Sequence, residues 1–411
     1  MTATSRPRTT LSLALLATLC GAPSSALLAA EAKGFLYGTV STRSGATYEG
    51  RLRWGKEEAF WTDHFNASKE SRPLAREIPK RHRDGEQTLR VLGRSFGMRW
   101  NEEAGRQLIV RFGDLRSILP HGSDEATLVL KSGGKLEIGG GSNDVDGRVT
   151  VWDRSLGEVQ VDWDKIRRVD FKPAPADLPG LPARLFGTVR TTSETLRGFV
   201  QWDKEECLST DLLDGETEDG KLAVEMGKVK AIERRGKSAT TVTLKDGREL
   251  VLRGTNDVDD DNRGIFVDDP RFGRVLVPWR AFDRVDFEEA GSGPGYDDFP
   301  VLGPLEGAVT TRAGAVHKGR IVFDVDESEG WESLDGESAR LEYSIPFFMV
   351  ASVSPAGTTR ARVTLKGDGR ELTLEDSTDV TDANAGVFVL EGADKKTYVP
   401  WQDVKRIDFA K

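Results

Sequence analysis

Along most of the chain, hydrophobic positions alternate with polar ones in short runs broken by glycine-containing turns. In "VTLKDGRELVLRG", Val242, Leu244, Leu250 and Leu252 hold alternate positions on either side of Asp246-Gly247. A period of two puts these side chains on one face of a strand, and Asp-Gly suits the tight turn of a hairpin. The segments "GIFV" and "RVLV" predict two more short strands downstream. "VPWRAFDRVDF", residues 277–287, then predicts a single helical turn followed by a last strand. Pro278 suits the first position of that turn, because its ring fixes φ and it has no N–H to leave unpaired.

The closing phrase recurs as "VDWDKIRRVDF" at 161–171 and "VPWQDVKRIDF" at 399–409. Gly264–Trp279, Arg148–Trp163 and Gly386–Trp401 align over sixteen residues without a gap, and "NDV" or "TDV" lies upstream in each copy. A second pattern precedes each of these: "YGTVSTRSGATYEGRLRW", "FGTVRTTSETLRGFVQW" and "EGAVTTRAGAVHKGRIVF". Repetition of this kind marks structural units. The chain reads as A-B-A-B-A-B, with A modules over 34–120, 184–235 and 304–355 and B modules over 124–172, 238–288 and 359–411. The first A module carries an insertion at 70–106. Proline-rich 173–183 and Gly/Pro/acidic 289–303 read as linkers between pairs.

Strand, turn, strand at the end of five short strands resembles the SH3-like and Sm-like small-barrel class. The resemblance covers strand order from about Leu36 to Phe409 and includes the Gly-centred first hairpin. It implies an all-β chain of three tandem pairs of small SH3-like five-stranded barrels. Trp163, Trp279, Trp401, Phe171, Phe287 and Phe409 would seal the barrel ends. The A modules show "WGKEEAF", "WDKEECL" and "FDVDESEGW" where the Sm RNA pocket needs an Asn, so RNA binding is not implied. A six-bladed β-propeller is the alternative architecture.

The N-terminus changes the picture. Arg6 and Arg8 precede the apolar run "LSLALLATLCGA", and small residues follow, with cleavage expected after Ala30 or Ala32. Residues 1–30 therefore read as an export signal, which predicts a periplasmic or extracellular protein. Loss of the two arginines takes the formal charge from −9 to −11, which disfavours nucleic acid as a partner. No later segment is apolar enough to cross a membrane. Cys20 leaves with the signal, so Cys207 remains alone and no intramolecular disulfide is available.

Candidate chemistry is sparse. The four histidines, His64, His82, His121 and His317, show no metal-ligand or catalytic spacing, and no nucleophile elbow or phosphate loop is present. Cys207 reads as a small buried hydrophobe. The acidic loop holding Asp257, Asp259, Asp261 and Asp268 offers alternating carboxylates to Ca²⁺, although Asn262 stands where the sharp-turn glycine belongs. Asp324–Gly330, "DVDESEG", is a second acidic candidate. The insertion carries Arg72, Arg76, Arg81, Arg83, Arg94 and Trp100, a basic patch fit for an acidic partner. Trp61, Trp100, Trp152 and Trp331 lie outside the thrice-repeated positions and are open to sugar stacking or to core packing. Asn66-Ala67-Ser68 fits a glycosylation acceptor.

Structural residues repeat and reactive groups do not. The expectation is a non-enzymatic exported scaffold or interaction module of the cell envelope, meeting an envelope protein or polysaccharide. A carbohydrate- or Ca²⁺-binding protein is the alternative, and a hydrolase ranks third.

Overall fold

The computed structural model describes residues 32–69, 73–79, 86–91, 94–99, 106–139, 144–392 and 395–410, with only the backbone given over 86–99. The export segment lies outside these residues, and no part of the sheet topology bears on it. β-strands are the main elements of the described chain, and among the described residues no helix is long and apolar enough to cross a membrane.

The strands fall where alternation predicts them, but their partners are not those of small barrels. In the first pair, Tyr37–Thr42 and Thr47–Trp54 form the opening hairpin of the A module. That hairpin lies between Ile166–Phe171 and Arg148–Asp153, both from the B module. Reciprocally, the opening hairpin of B, Glu125–Leu130 with Lys135–Gly139, is flanked by Leu115–Pro120 and His64–Lys69 from A. The two modules have exchanged hairpins about a central contact between their closing strands, Val169 opposite Ile118.

The second pair repeats this, with Phe186–Thr191 on Phe282–Glu288 and Thr195–Gln201 on Ile265–Asp269. The third pair does so with Glu306–Thr311 on Val404–Phe409 and Val316–Val322 on Val387–Glu391. Gly273–Val277 of the second pair then pairs with Leu341–Pro346 of the third. The result is an antiparallel sheet of ten strands and another of eighteen, with two-stranded ribbons beside them. The ten strands run in one order from Gly157–Asp162 to Gln107–Arg111, and among the described residues no pairing joins those ends. This overturns both the three pairs of closed SH3-like barrels and the six-bladed propeller. A period-two pattern is the same whichever strand lies alongside, so alternation alone does not choose a hairpin's neighbour.

Two repeated features hold the exchange. The first is a glycine. A side chain at Gly50 would put its Cβ 1.9 Å from the carbonyl oxygen of Trp152, and one at Gly198 would meet that of Asp268 at 2.0 Å. Gly319 approaches Leu390 in the same way, at 2.2 Å. In each pair the A strand therefore crosses the B strand too closely for any Cβ.

The second feature is aromatic. Trp163, Trp279 and Trp401 of the B closures meet Trp54, Trp202 and Phe323 of the A modules edge to face, with centroids 6.1, 6.2 and 5.9 Å apart. Such pairs add about 0.5–1.5 kcal/mol beyond area burial. Phe171 and Phe409 are buried behind them, and Phe287 is partly so. The basic residue and aspartate of the same phrase face outward, where Arg284 binds Asp286 at 2.7 Å and Arg406 binds Asp408 at 2.6 Å.

The interior follows the sheets rather than the modules. One hydrophobic cluster fills the first pair, and another runs without a break through the second and third. The expected linkers fold back onto this framework. Leu178, Tyr296 and Phe299 all enter the first cluster, and Tyr296 donates its hydroxyl to the carbonyl of Leu115 at 2.8 Å.

Replacing Gly198 by Val is expected to destabilise the chain by about 1–3 kcal/mol, the usual cost of forcing packed backbone apart, in urea unfolding. Gly139→Ala, where nothing lies within 4 Å of the added Cβ, is expected to leave the midpoint unchanged.

Candidate metal centre

After the second strand of each A module the chain makes a turn containing left-handed residues. These are Gly55 in the first pair, Asp203 and Lys204 in the second, and Asp324 and Val325 in the third. A β-branched residue held at φ 57°, as Val325 is, is sterically costly. Burial of Val325 in a small cluster with Ile78, Val322, Ala385 and Phe388 holds it there. The turn sends Asp324 inward with no solvent exposure, and Glu327 follows three residues later.

The third member comes from the B module. Asp379, the acid of "TDV", is buried and accepts the backbone N–H of Asp335 at 2.7 Å. Asp324, Glu327 and Asp379 each offer a carboxylate oxygen, and these lie within 4.8 Å of one another. Glu327 and Asp379 border a cavity of about 40 Å³ that Lys69, Arg106, Asp326, Glu332, Asp335 and Thr378 also line, and Asp324 is bound to the Arg106 of that lining.

Electrostatics at this cavity are unbalanced. Arg106 pairs with Asp324, and Lys69 pairs with Asp326 at 3.2 Å and with Glu332, so two cations face six carboxylates. Burial, reinforced by Asp326 and Asp379, pushes the Glu327 carboxyl well above the usual range. Burial, with Asp335 and Asp324 close by, does the same to Asp379. Burial also raises Asp335 to about 7, against a hydrogen bond from Ser344 and with Glu342 adding to it. Thr378 is 3% exposed, and its hydroxyl has no partner among the described residues; one Glu327 oxygen is likewise unpaired. An all-oxygen set with three convergent carboxylates is the coordination chemistry of a hard divalent cation.

Comparison among the repeats isolates what is special here. Glu58, Glu206 and Glu327 occupy one repeat position, and Asp144, Asp257 and Asp379 another. The aspartates play the same structural part in all three pairs, since Asn66, Asp214 and Asp335 donate backbone N–H groups to them at 2.6, 2.7 and 2.7 Å. In the first pair, Gly55 replaces the third acid. In the second pair, Asp203 supplies it but is occupied. The Asn256 amide and the Arg263 backbone and guanidinium all donate to Asp203, the guanidinium at 2.9 Å. The third pair has Thr378 for Asn256 and Ala385 for Arg263. Both local side-chain donors are gone, but the Ala385 backbone N–H still donates to Asp324 and Arg106 of the first A module supplies its guanidinium there, while Glu327 and Asp379 face the cavity.

The loop expected to bind Ca²⁺ is not assembled. Asp257 is buried against Asp214, Asp259 accepts the backbone N–H of Asp261, and Asp261 is exposed. Asp268 lies on a strand, bound to Arg274 at 2.7 Å and to Arg184 at 3.3 Å. Burial works against the Asp268 charge, but the two arginines outweigh it and hold the carboxyl below its ordinary range. The second acidic candidate, Asp324–Gly330, contributes two of the three converging acids. Asp379 was not linked to it in sequence, although the shared repeat positions of Glu327, Glu206 and Glu58 carry the signal.

Of the basic patch, Arg72, Arg81, Arg83 and Trp100 lie outside the described residues, and Arg94 is described only by its backbone. Arg76 is exposed in the short helical turn Pro73–Glu77. Trp61 and Trp331 are core residues of the first cluster, and Arg51 covers the ring of Trp152 at 3.6 Å. Asn66 turns its amide to Asp144 at 2.8 Å. Cys207 is buried between the first two pairs with Phe35, Phe60 and Leu208, and burial pushes its thiol well up. Comparison with protein-family models, with curated proteins and with solved structures returned no match.

The second-pair acids make the stability of the chain pH-dependent. Burial raises Glu206 to about 9 and Asp257 to about 6, so the folded state holds protons that the unfolded chain releases. Stability is greatest below the unfolded carboxylate range and falls as pH rises through these values. Glu206→Gln, which carries no charge to bury, is expected to raise the melting temperature by about 2–4 °C at pH 9 and by little at pH 5.

Proposed function

We propose that this chain is a non-enzymatic, exported β-repeat protein that serves as a scaffold or interaction module of the cell envelope and takes a Ca²⁺-type divalent cation among Asp324, Glu327 and Asp379. One observation carries the cation: in the third pair a carboxylate oxygen of each of Asp324, Glu327 and Asp379 lies within 4.8 Å of the others, beside an unpaired Glu327 oxygen. The unpaired Thr378 hydroxyl beside them supplies a further oxygen ligand. The lining also joins distant parts of the chain, since Lys69 and Arg106 come from the first A module and the acids from the third pair. A bound cation would there brace the first pair against the third.

The non-enzymatic part is supported by the buried states of Cys207 and His64, whose thiol and imidazole burial drives toward their neutral forms. The localisation part rests on residues 1–30. Ala32 is fully buried in the first core, which supports cleavage after Ala30 over cleavage after Ala32.

Calorimetric titration of the mature chain with Ca²⁺ is expected to show a site that Asp324→Asn with Asp379→Asn abolishes and Asp203→Asn leaves intact. At a free concentration a hundredfold above Kd, the ion should add about 2.7 kcal/mol of stability. Affinity should weaken as pH falls from 8 to 5, because the ligands must be ionised to bind. Absence of heat at millimolar Ca²⁺ would remove the cation from the proposal. Intact mass of the protein recovered from outside the cytoplasm is expected to correspond to a chain starting at Glu31, and recovery of the uncut chain from the cytoplasm would remove export.

A further inference from the structure

Among the described residues, one strand pairing joins the second and third pairs. Gly273–Val277 runs antiparallel to Leu341–Pro346, with Arg274, Val275 and Leu276 opposite Ser344, Tyr343 and Glu342. Phe272, at the tip of the hairpin leading into the first strand, is fully buried and meets the Tyr343 ring edge-on at 5.6 Å.

The same two repeat positions occur once more without partners. Gly157–Asp162 of the first pair stands where Gly273–Val277 does, and among the described residues it pairs with Arg148–Asp153 alone. Gly220–Glu225 of the second pair stands where Leu341–Pro346 does and pairs with Leu212–Thr217 alone. The hairpin tips are built alike. Asp153 accepts the Ser155 N–H and Asp269 that of Arg271, both at 2.9 Å, and Gly157 and Gly273 share φ near 80°, at 79° and 85°. Leu156 therefore occupies the place of Phe272, yet it is 65% exposed. Tyr343 corresponds to Leu222, which with Leu250 borders an open groove of about 780 Å³.

We propose that Gly157–Asp162 of one copy of this chain pairs with Gly220–Glu225 of a second copy, in the register of the internal contact. Val159 then lies opposite Leu222, and Leu156 covers the groove at Leu222 and Leu250 as Phe272 covers Tyr343. Lys221 falls opposite Gln160 with Glu158 and Asp162 on its two diagonals, an attraction set against Asp219 opposite Asp162 and Glu225 diagonal to Glu158. Gly157 leaves the approach open, since a Cβ there would meet nothing within 4 Å.

A second copy is the occupant because within one chain these two edges stay unpaired with each other although the first and second pairs are packed together. The first and second pairs are already docked through Arg53–Asp211 at 2.8 Å, through Arg184 with Asp63, and through the cluster around Phe60 and Cys207. The third strand of this type, Lys395–Val399, begins with two lysines, and Lys396 is bound to Glu77. Lysines on an edge oppose pairing. Gln107–Arg111, the first pair's counterpart of Gly220–Glu225, lies against the acids of the third pair, so one open edge of each kind remains and the contact is head-to-tail, propagating instead of closing on two subunits.

Sedimentation velocity of the full chain, from micromolar to millimolar and with either Ca²⁺ or chelator, tests this separately from the cation site. The expected result is a mass that grows with concentration in both conditions. Leu156→Asp, at an exposed position, should leave the chain monomeric, and Lys221→Glu, also exposed, should weaken association by about tenfold. Because the interface has two different halves, Leu156→Asp mixed with a Leu222→Lys variant should form dimers and nothing larger. A monomeric wild type, association that survives Leu156→Asp, or a mixture that stays monomeric when both variants melt like the wild type, would each overturn the proposal. If Leu222→Lys melts early, Lys221→Glu takes its place: mixed with Leu156→Asp it should form a dimer of wild-type strength, because two intact halves meet there, and a mixture that associates no more tightly than Lys221→Glu alone overturns the proposal equally.

Discussion

The close crossing of an A strand over a B strand, at Gly50, Gly198 and Gly319, is the constraint from which the architecture follows. Strands that approach within reach of a missing Cβ bring the two modules into one sheet, so neither module encloses a core by itself. The edge-to-face aromatic pairs then lock the crossing from the interior side, one ring from each module. The phrase "PW…RVDF" recurs because the exchange occurs three times, and each occurrence needs a ring at the end of its closing strand.

Joining the three pairs required a different kind of interaction. The seam between the first and second pairs is filled by Arg184 and Arg274 with Asp63 and Asp268, and Arg184 also stacks on Phe60 and Phe199 with its guanidinium 4.1 and 3.9 Å from the rings. The seam between the first and third holds Lys69 and Arg106 against the acids of the third A module. Buried charges of this sort are costly to leave unpaired and add orientation more than net stability. Here they fix how one pair sits on the next, which apolar strands of similar composition would not specify.

The candidate cation cavity is a product of divergence within the repeat. A carboxylate arrangement closed in the second pair by Asn256 and Arg263 loses those two side chains in the third, where Arg106 of the first A module reaches Asp324 in place of the local guanidinium. The sheet edges diverge in the same manner. One junction strand is used inside the chain, and its counterparts in the first and second pairs present a leucine where a buried aromatic would be. Repetition supplies the scaffold, and function is sought where a copy departs from it.

The amino-acid pattern determined the local elements: the hairpin at Asp246-Gly247, the single turn after Pro278, the burial of Trp163, Trp279 and Trp401, and the burial of Cys207 all follow from side-chain period, turn chemistry and size. Strand partners were decided only in three dimensions, because an alternating strand presents the same faces to any neighbour and backbone hydrogen bonds carry no residue identity. The gathering of Asp379 with Asp324 and Glu327 was hidden for the same reason. These acids lie on modules joined by exchange, and their spacing along the chain records nothing of the distance that folding leaves between their carboxylates.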